Sequence, residues 1–163
     1  MWPPEILSLA ETVLAEARAK GLKLATAESC TGGMVAGALT AIAGSSDVFE
    51  RGFVTYSNAA KIEDLDVPED TIRAHGAVSE AAVRAMAEGA LDYANADVSV
   101  AVTGVAGPGG GSPDKPVGLV HFAAARTGNE TVAVAHRFGD IGRAEIRMAS
   151  VEVALNLLRR MLG

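Results

Sequence analysis

Seven residues, Asp97-Val98-Ser99-Val100-Ala101-Val102-Thr103, alternate small with branched side chains and carry no charge after the first. They run directly into Gly104-Val105-Ala106-Gly107-Pro108-Gly109-Gly110-Gly111-Ser112. A strand of that composition has no solvent-facing side, so it belongs in the middle of a sheet covered on both faces. In open α/β sheets the loop leaving such a strand is where ligands bind. At 163 residues the chain suits one domain spanning 1–163.

The neighbouring segments supply the covering layers. Pro4 opens a helix with Ile6, Leu7, Ala10, Val13, Leu14 and Ala17 on one stripe, and Lys20-Gly21 ends it. Residues 22–27 read as a short buried strand, followed by a turn at Glu28 to Gly33 and a small-residue helix over 34–43. A strand over 52–56, short helices over 58–65 and up to His75, and a helix capped by Ser79 with Val83, Met86, Ala87, Ala90, Leu91 and Ala94 at helical spacing come next. Residues 117–125 and 131–138 read as a hairpin around Thr127-Gly128-Asn129, and 143–162 as a final amphipathic helix. The expected fold is α/β, a three-layer α/β/α sandwich around a mixed sheet.

Charge and composition narrow the function. A net charge of -6 opposes a protein built to neutralise nucleic-acid phosphates, so no nucleic-acid partner is expected. The single cysteine, Cys30, rules out an intramolecular disulfide. His75, His121 and His136 lack the spacing of a ligand pair, so no metal and no cofactor are expected. The N-terminus has no secretory pattern and no apolar run approaches ~20 residues, which points to a cytoplasmic protein without a membrane partner.

Two places could carry chemistry. Ser29 stands between a strand end and a helix start, where free N–H groups stabilise an oxyanion, although a serine or Thr31 there also serves as a helix cap. Cys30 is intrinsically the stronger nucleophile, but no local base marks it. Lys61 in an early helical turn is by position a solvated charge; only removal from water would make it a base. The glycine loop lacks a P-loop's Gly-Lys-Ser/Thr ending and the Rossmann spacing, yet its backbone can present N–H groups to an anion.

Taken in order, Ala27-Glu28-Ser29-Cys30-Thr31-Gly32-Gly33, Gly44-Ser45-Ser46, Phe53-Val54-Thr55-Tyr56-Ser57-Asn58 with Lys61, Gly76-Ala77-Val78-Ser79, and Thr103 to Gly110 resemble the CinA C-terminal domain family over residues 5–160. Characterised enzymes of that family are nicotinamide-mononucleotide deamidases. The resemblance implies metal-independent hydrolysis of the substrate's carboxamide, with Ser29 as nucleophile, Lys61 as base and Tyr56 assisting the proton transfer. It also implies that Thr31, Gly32, Gly33, Ser46, Thr103, Gly104, Gly107, Gly109 and Arg143 bind substrate.

The family's Gly-Asp-Arg is interrupted here by Ile141-Gly142, which makes Arg147 the substitute for Arg143. The alternative reading is a catalytically inactive, nucleotide-binding, competence-associated protein. Many members carry an additional N-terminal domain, so the expectation is a stand-alone form; a symmetric homodimer is the favoured assembly.

Overall fold

A computed structural model describes residues 1–163. Five strands, β1 (Leu24–Glu28), β2 (Phe49–Val54), β3 (Val98–Gly104), β4 (Leu119–Arg126) and β5 (Val132–Arg137), form one sheet in the order β2-β1-β3-β4-β5. β1 runs parallel to both β2 and β3, whereas β3, β4 and β5 pair antiparallel, so the sheet is mixed as expected. Six α-helices surround it: α1 (Pro4–Lys20), α2 (Met34–Thr40), α3 (Asn58–Leu65), α4 (Glu69–His75), α5 (Glu80–Tyr93) and α6 (Arg143–Leu162).

The alternation along β3 now has a cause. Val98, Val100 and Val102 join Leu24, Val120 and Phe122 in a core shared with α1, α2 and α6. Ala101 points the other way, with Ala27, Ala123 and Ala125, into a thinner core completed by Val83, Met86, Ala87 and Ala90 of α5. Small side chains on that face let α5 come close enough for Ser99 Oγ to donate to the Ala87 carbonyl at 2.6 Å. Burying the two sheet faces under helices is the principal stabilising term, at roughly 25 cal/mol per Å² of apolar surface.

α5 also fixes α3. A Cβ on Gly89 would lie 1.9 Å from the Leu65 carbonyl oxygen, so only glycine allows α5 to press against the end of α3. α3 begins at Ser57, whose hydroxyl accepts from Ala60 N at 3.0 Å, and its buried stripe consists of Lys61 and Leu65.

Boundaries differ from expectation in several places, among them β4, which starts at Leu119 rather than Val117. β1 starts at Leu24 rather than Leu22 and runs through Glu28, and α2 stops at Thr40 rather than Ala43. β2 starts at Phe49, three residues before Gly52, and ends at Val54, which leaves Tyr56 beyond the strand. Charged Glu50 and Arg51 are tolerated there because β2 is an edge strand with one side in solvent.

The chain leaves β1 through α2 to β2 on one side, then returns through α3, α4 and α5 to β3 on the other. The carboxyl ends of β1 and β3 therefore flank a switch point, the usual position of a ligand crevice. No helix is long and apolar enough to cross a membrane.

Candidate active site

The three parallel strands deliver Ser29, Thr55 and Thr103 to one end of the sheet. Ser29 N donates to the Val102 carbonyl at 3.0 Å and Thr55 N to the Glu28 carbonyl at 2.9 Å, so both residues continue the ladder past the formal strand ends. Between them lies a cleft of about 300 Å³. Its walls include Ser29, Lys61, Thr103, Arg143 and the loop from Gly104 to Gly107.

Lys61 is 1% exposed, in contrast to the solvated charge its helical position suggests. Its stem follows the buried stripe of α3, and its Nζ reaches Ser29 Oγ at 3.0 Å and the Thr55 carbonyl at 2.8 Å, with a longer contact to the Ser57 carbonyl at 3.5 Å. No carboxylate pairs with it: none of the ion pairs in the molecule includes Lys61. Burial lowers its pKa from 10.5 and favours the neutral amine.

A neutral amine has two N–H groups and one lone pair. In that form the two carbonyls, which accept only, would take the N–H groups and leave the lone pair for the Ser29 hydroxyl. That arrangement prepares a general base against a nucleophile.

Cys30 is unsuited to compete. Its side chain is 6% exposed and belongs to the larger core, and burial pushes its thiol up to about 11, far from a thiolate at neutral pH. What Cys30 offers the cleft is its backbone: its N–H donates to no other residue and adjoins Ser29.

The turn after Ser29 is held by Glu28. Its buried carboxylate accepts from Thr31 Oγ1 at 2.7 Å, Val35 N at 2.8 Å and Ala36 N at 3.0 Å. Burial raises its pKa, while the hydrogen bonds from Ala36, Thr31, Val35 and Gly33 act against that rise. The N-terminus of α2 is thus already occupied by an anion from the protein itself.

Three residues expected to bind substrate stand apart from the cleft. Thr31 is 0% exposed and spends its hydroxyl on Glu28, and neither it nor Gly32 nor Gly33 lines the cleft. Ser46 stands apart as well. It is exposed in the short turn Ser45–Asp47 ahead of β2, at the amino ends of the parallel strands and away from the cleft, beside the Arg18–Asp47 ion pair.

Thr103, Gly104, Gly107, Gly109 and Arg143 do line the cleft. Thr103 Oγ1 donates to the Ala77 carbonyl at 3.0 Å and so ties down the wall formed by Ala77 and Val78. Arg143 donates to the Gly107 carbonyl at 2.7 Å and to the Tyr56 hydroxyl at 2.8 Å, spanning the cleft mouth. Tyr56, 58% exposed, is accordingly at the rim, with its hydroxyl on Arg143 rather than on Ser29 or Lys61.

Arg147 does not line the cleft; it donates to the Cys30 and Thr31 carbonyls. Residue patterns in the sequence do not single out the Glu28 carboxylate, the Thr55 carbonyl or Asn58, a cleft residue. Glu28 and Thr55 lie inside the quoted motifs, but backbone acceptors and buried caps leave no pattern of their own. No three His, Cys, Asp or Glu side chains gather as a metal-holding group.

A larger cleft of about 550 Å³ lies between the carboxyl ends of α1 and α6, lined by Glu16, Lys20, Arg159 and Arg160 among others. It contains no nucleophile beside a base.

Comparison with known proteins gives a consistent result. The family model described as the CinA C-terminal domain matches residues 6–162. CinA-like proteins of Synechococcus sp. strain RCC307 and Parasynechococcus marenigrum are 55% and 51% identical to 95% of the chain. The chain spans about a third of such relatives, 37% of each of these two. Among solved structures, the competence/damage inducible protein CihA from Agrobacterium tumefaciens superposes with a TM-score of 0.98 at 50% identity, covering 100% of this chain and 99% of that one. A CinA superfamily protein from Klebsiella pneumoniae gives a TM-score of 0.91 at 38% identity, covering 96% of this chain and 97% of that one.

Proposed function

The chain belongs to the CinA C-terminal domain family, and from that premise we propose that it hydrolyses the carboxamide of nicotinamide mononucleotide to nicotinate mononucleotide and ammonia, without a metal, in the cytoplasm. The observation that carries this reading is the 3.0 Å contact between Ser29 Oγ and a buried lysine amine that has no counter-charge.

In the proposed reaction Ser29 Oγ bonds to the amide carbon while Lys61 Nζ takes the hydroxyl proton. The carbonyl π electrons move to oxygen, and the Cys30 N–H stabilises that developing charge. Lys61 returns the proton to the amide nitrogen, the C–N bond breaks and ammonia leaves a Ser29 ester. Water then attacks the ester, giving its proton to Lys61, and collapse of the second tetrahedral species restores the Ser29 hydroxyl. Each step needs Lys61 to alternate between neutral and charged, which a partly desolvated lysine does near neutral pH more readily than a solvated one.

Arg143 and the loop from Gly104 to Gly110 supply the cation and backbone donors for the phosphate. Because Arg143 already holds Tyr56 and Gly107, phosphate binding exchanges one of those contacts for a charge-assisted one.

Purified protein is expected to release ammonia and nicotinate mononucleotide in equal amounts, with no loss of rate in excess chelator. Binding of nicotinamide mononucleotide without ammonia release would replace this reading with the nucleotide-binding one, and a chelator-sensitive rate would overturn metal independence.

A further inference from the structure

We propose that Arg147 is a positioning residue for catalysis: its guanidinium holds the Cys30 and Thr31 carbonyls and thereby fixes the turn that carries Ser29 and the Cys30 N–H. The proposal rests on the amidase reading of the same site.

Arg147 follows Arg143 by one turn of α6, but the two do different things. Arg147 Nε donates to the Cys30 carbonyl at 3.1 Å and Nη2 to the Thr31 carbonyl at 3.3 Å. Gly32, at φ +57°, leaves room for this: a Cβ there would meet Arg147 Nη2 at 3.3 Å. A planar fork serving two successive carbonyls fixes two peptide planes at once, which a lysine ammonium does less well.

Other groups of the turn are also held. Glu28 holds Thr31 Oγ1 and the N–H groups of Val35 and Ala36, and the Ser29 carbonyl accepts from Gly32 N at 2.9 Å. In a trans peptide the N–H points opposite the carbonyl of the same unit. With the Ser29 carbonyl turned toward Gly32, the Cys30 N–H points away from that hydrogen bond, next to Ser29 in the chain. Arg147 on the carbonyls and Glu28 on the first amides of α2 thus clamp the turn at both ends, and the Cys30 N–H, which donates to no other residue, is the free donor that directly follows Ser29.

The clamp acts on the transition state more than on bound substrate, because Arg147 is outside the cleft lining. Steady-state kinetics on nicotinamide mononucleotide should therefore show Arg147→Ala losing about 10²-fold in kcat with KM within about twofold, as for a modest misplacement of reacting groups. Arg147→Lys, which keeps the charge and the packed stem but not the fork, should recover less than about a tenth of the lost rate. Arg160→Ala, exposed at the far end of α6, should match the parent.

A kcat for Arg147→Ala within about threefold of the parent, or a raised KM at unchanged kcat, overturns the proposal. If the alanine variant fails to fold, the lysine variant carries the same kcat-against-KM split. Should the parent release no ammonia, the amidase reading fails separately. The labelling rate of Ser29 by a fluorophosphonate, whose phosphoryl oxygen needs the same N–H, then decides for Arg147. A large loss of labelling in Arg147→Ala supports the clamp, and equal labelling, or none in the parent, overturns it.

Discussion

Glu28 and Lys61 are the two fully buried ionisable side chains of this protein, and the regions that hold them treat charge in opposite ways. In the turn after β1, the Glu28 carboxylate meets a hydroxyl and two amide donors at a helix N-terminus. In the segment after β2, the Lys61 amine meets carbonyls and a serine hydroxyl but no anion. The first region spends its ionisable group on rigidity. The second leaves a lysine destabilised in its charged form, which is the condition for using it as a base.

Removing the chemistry is the strongest way to separate the two regions. Ser29→Ala and Lys61→Met should each lower ammonia release by about 10³-fold or more, measured at saturating nicotinamide mononucleotide, with the fold intact. Thermal unfolding should next divide Glu28 from Lys61. Glu28→Ala leaves buried donors unpaired and should cost about 3 kcal/mol, seen as a large fall in Tm.

Lys61→Met, by contrast, relieves a buried amine and should raise stability by about 1 kcal/mol at neutral pH. Because the folded pKa of Lys61 lies below 10.5, the unfolded chain binds more protons between those two values. Stability therefore gains from this group as pH rises through that window and is penalised in full below it, and Lys61→Met should flatten the rise in denaturant titrations. The smallest effect belongs to Cys30→Ala, expected to keep kcat within about fivefold of the parent, since it removes a core thiol and leaves the backbone N–H. A collapse of activity there would transfer the nucleophile's role.

The fold was largely legible because its signals are local. The two-faced alternation of β3, the Ser79 cap of α5 and the apolar stripe of α6 each state their own environment. β2 was read short because its first residues carry the charges of an edge strand. The site was legible through motif resemblance, yet the burial of Lys61 was not: its amine ends between Ser29, which follows β1, and the Thr55 carbonyl, which follows β2, groups that helical spacing around Lys61 does not reveal. Nor could spacing show that Thr31 serves Glu28, or that Arg143 and Arg147, four residues apart, attend the cleft and the nucleophile turn respectively.

The pH dependence of kcat/KM for nicotinamide mononucleotide tests most directly whether an uncharged Lys61 takes the serine proton. If it does, the rate falls about tenfold per unit on the acid side of a single ionisation lying below 10.5. A rate that shows no such acid-side fall at any pH where the protein stays folded would contradict a lysine base.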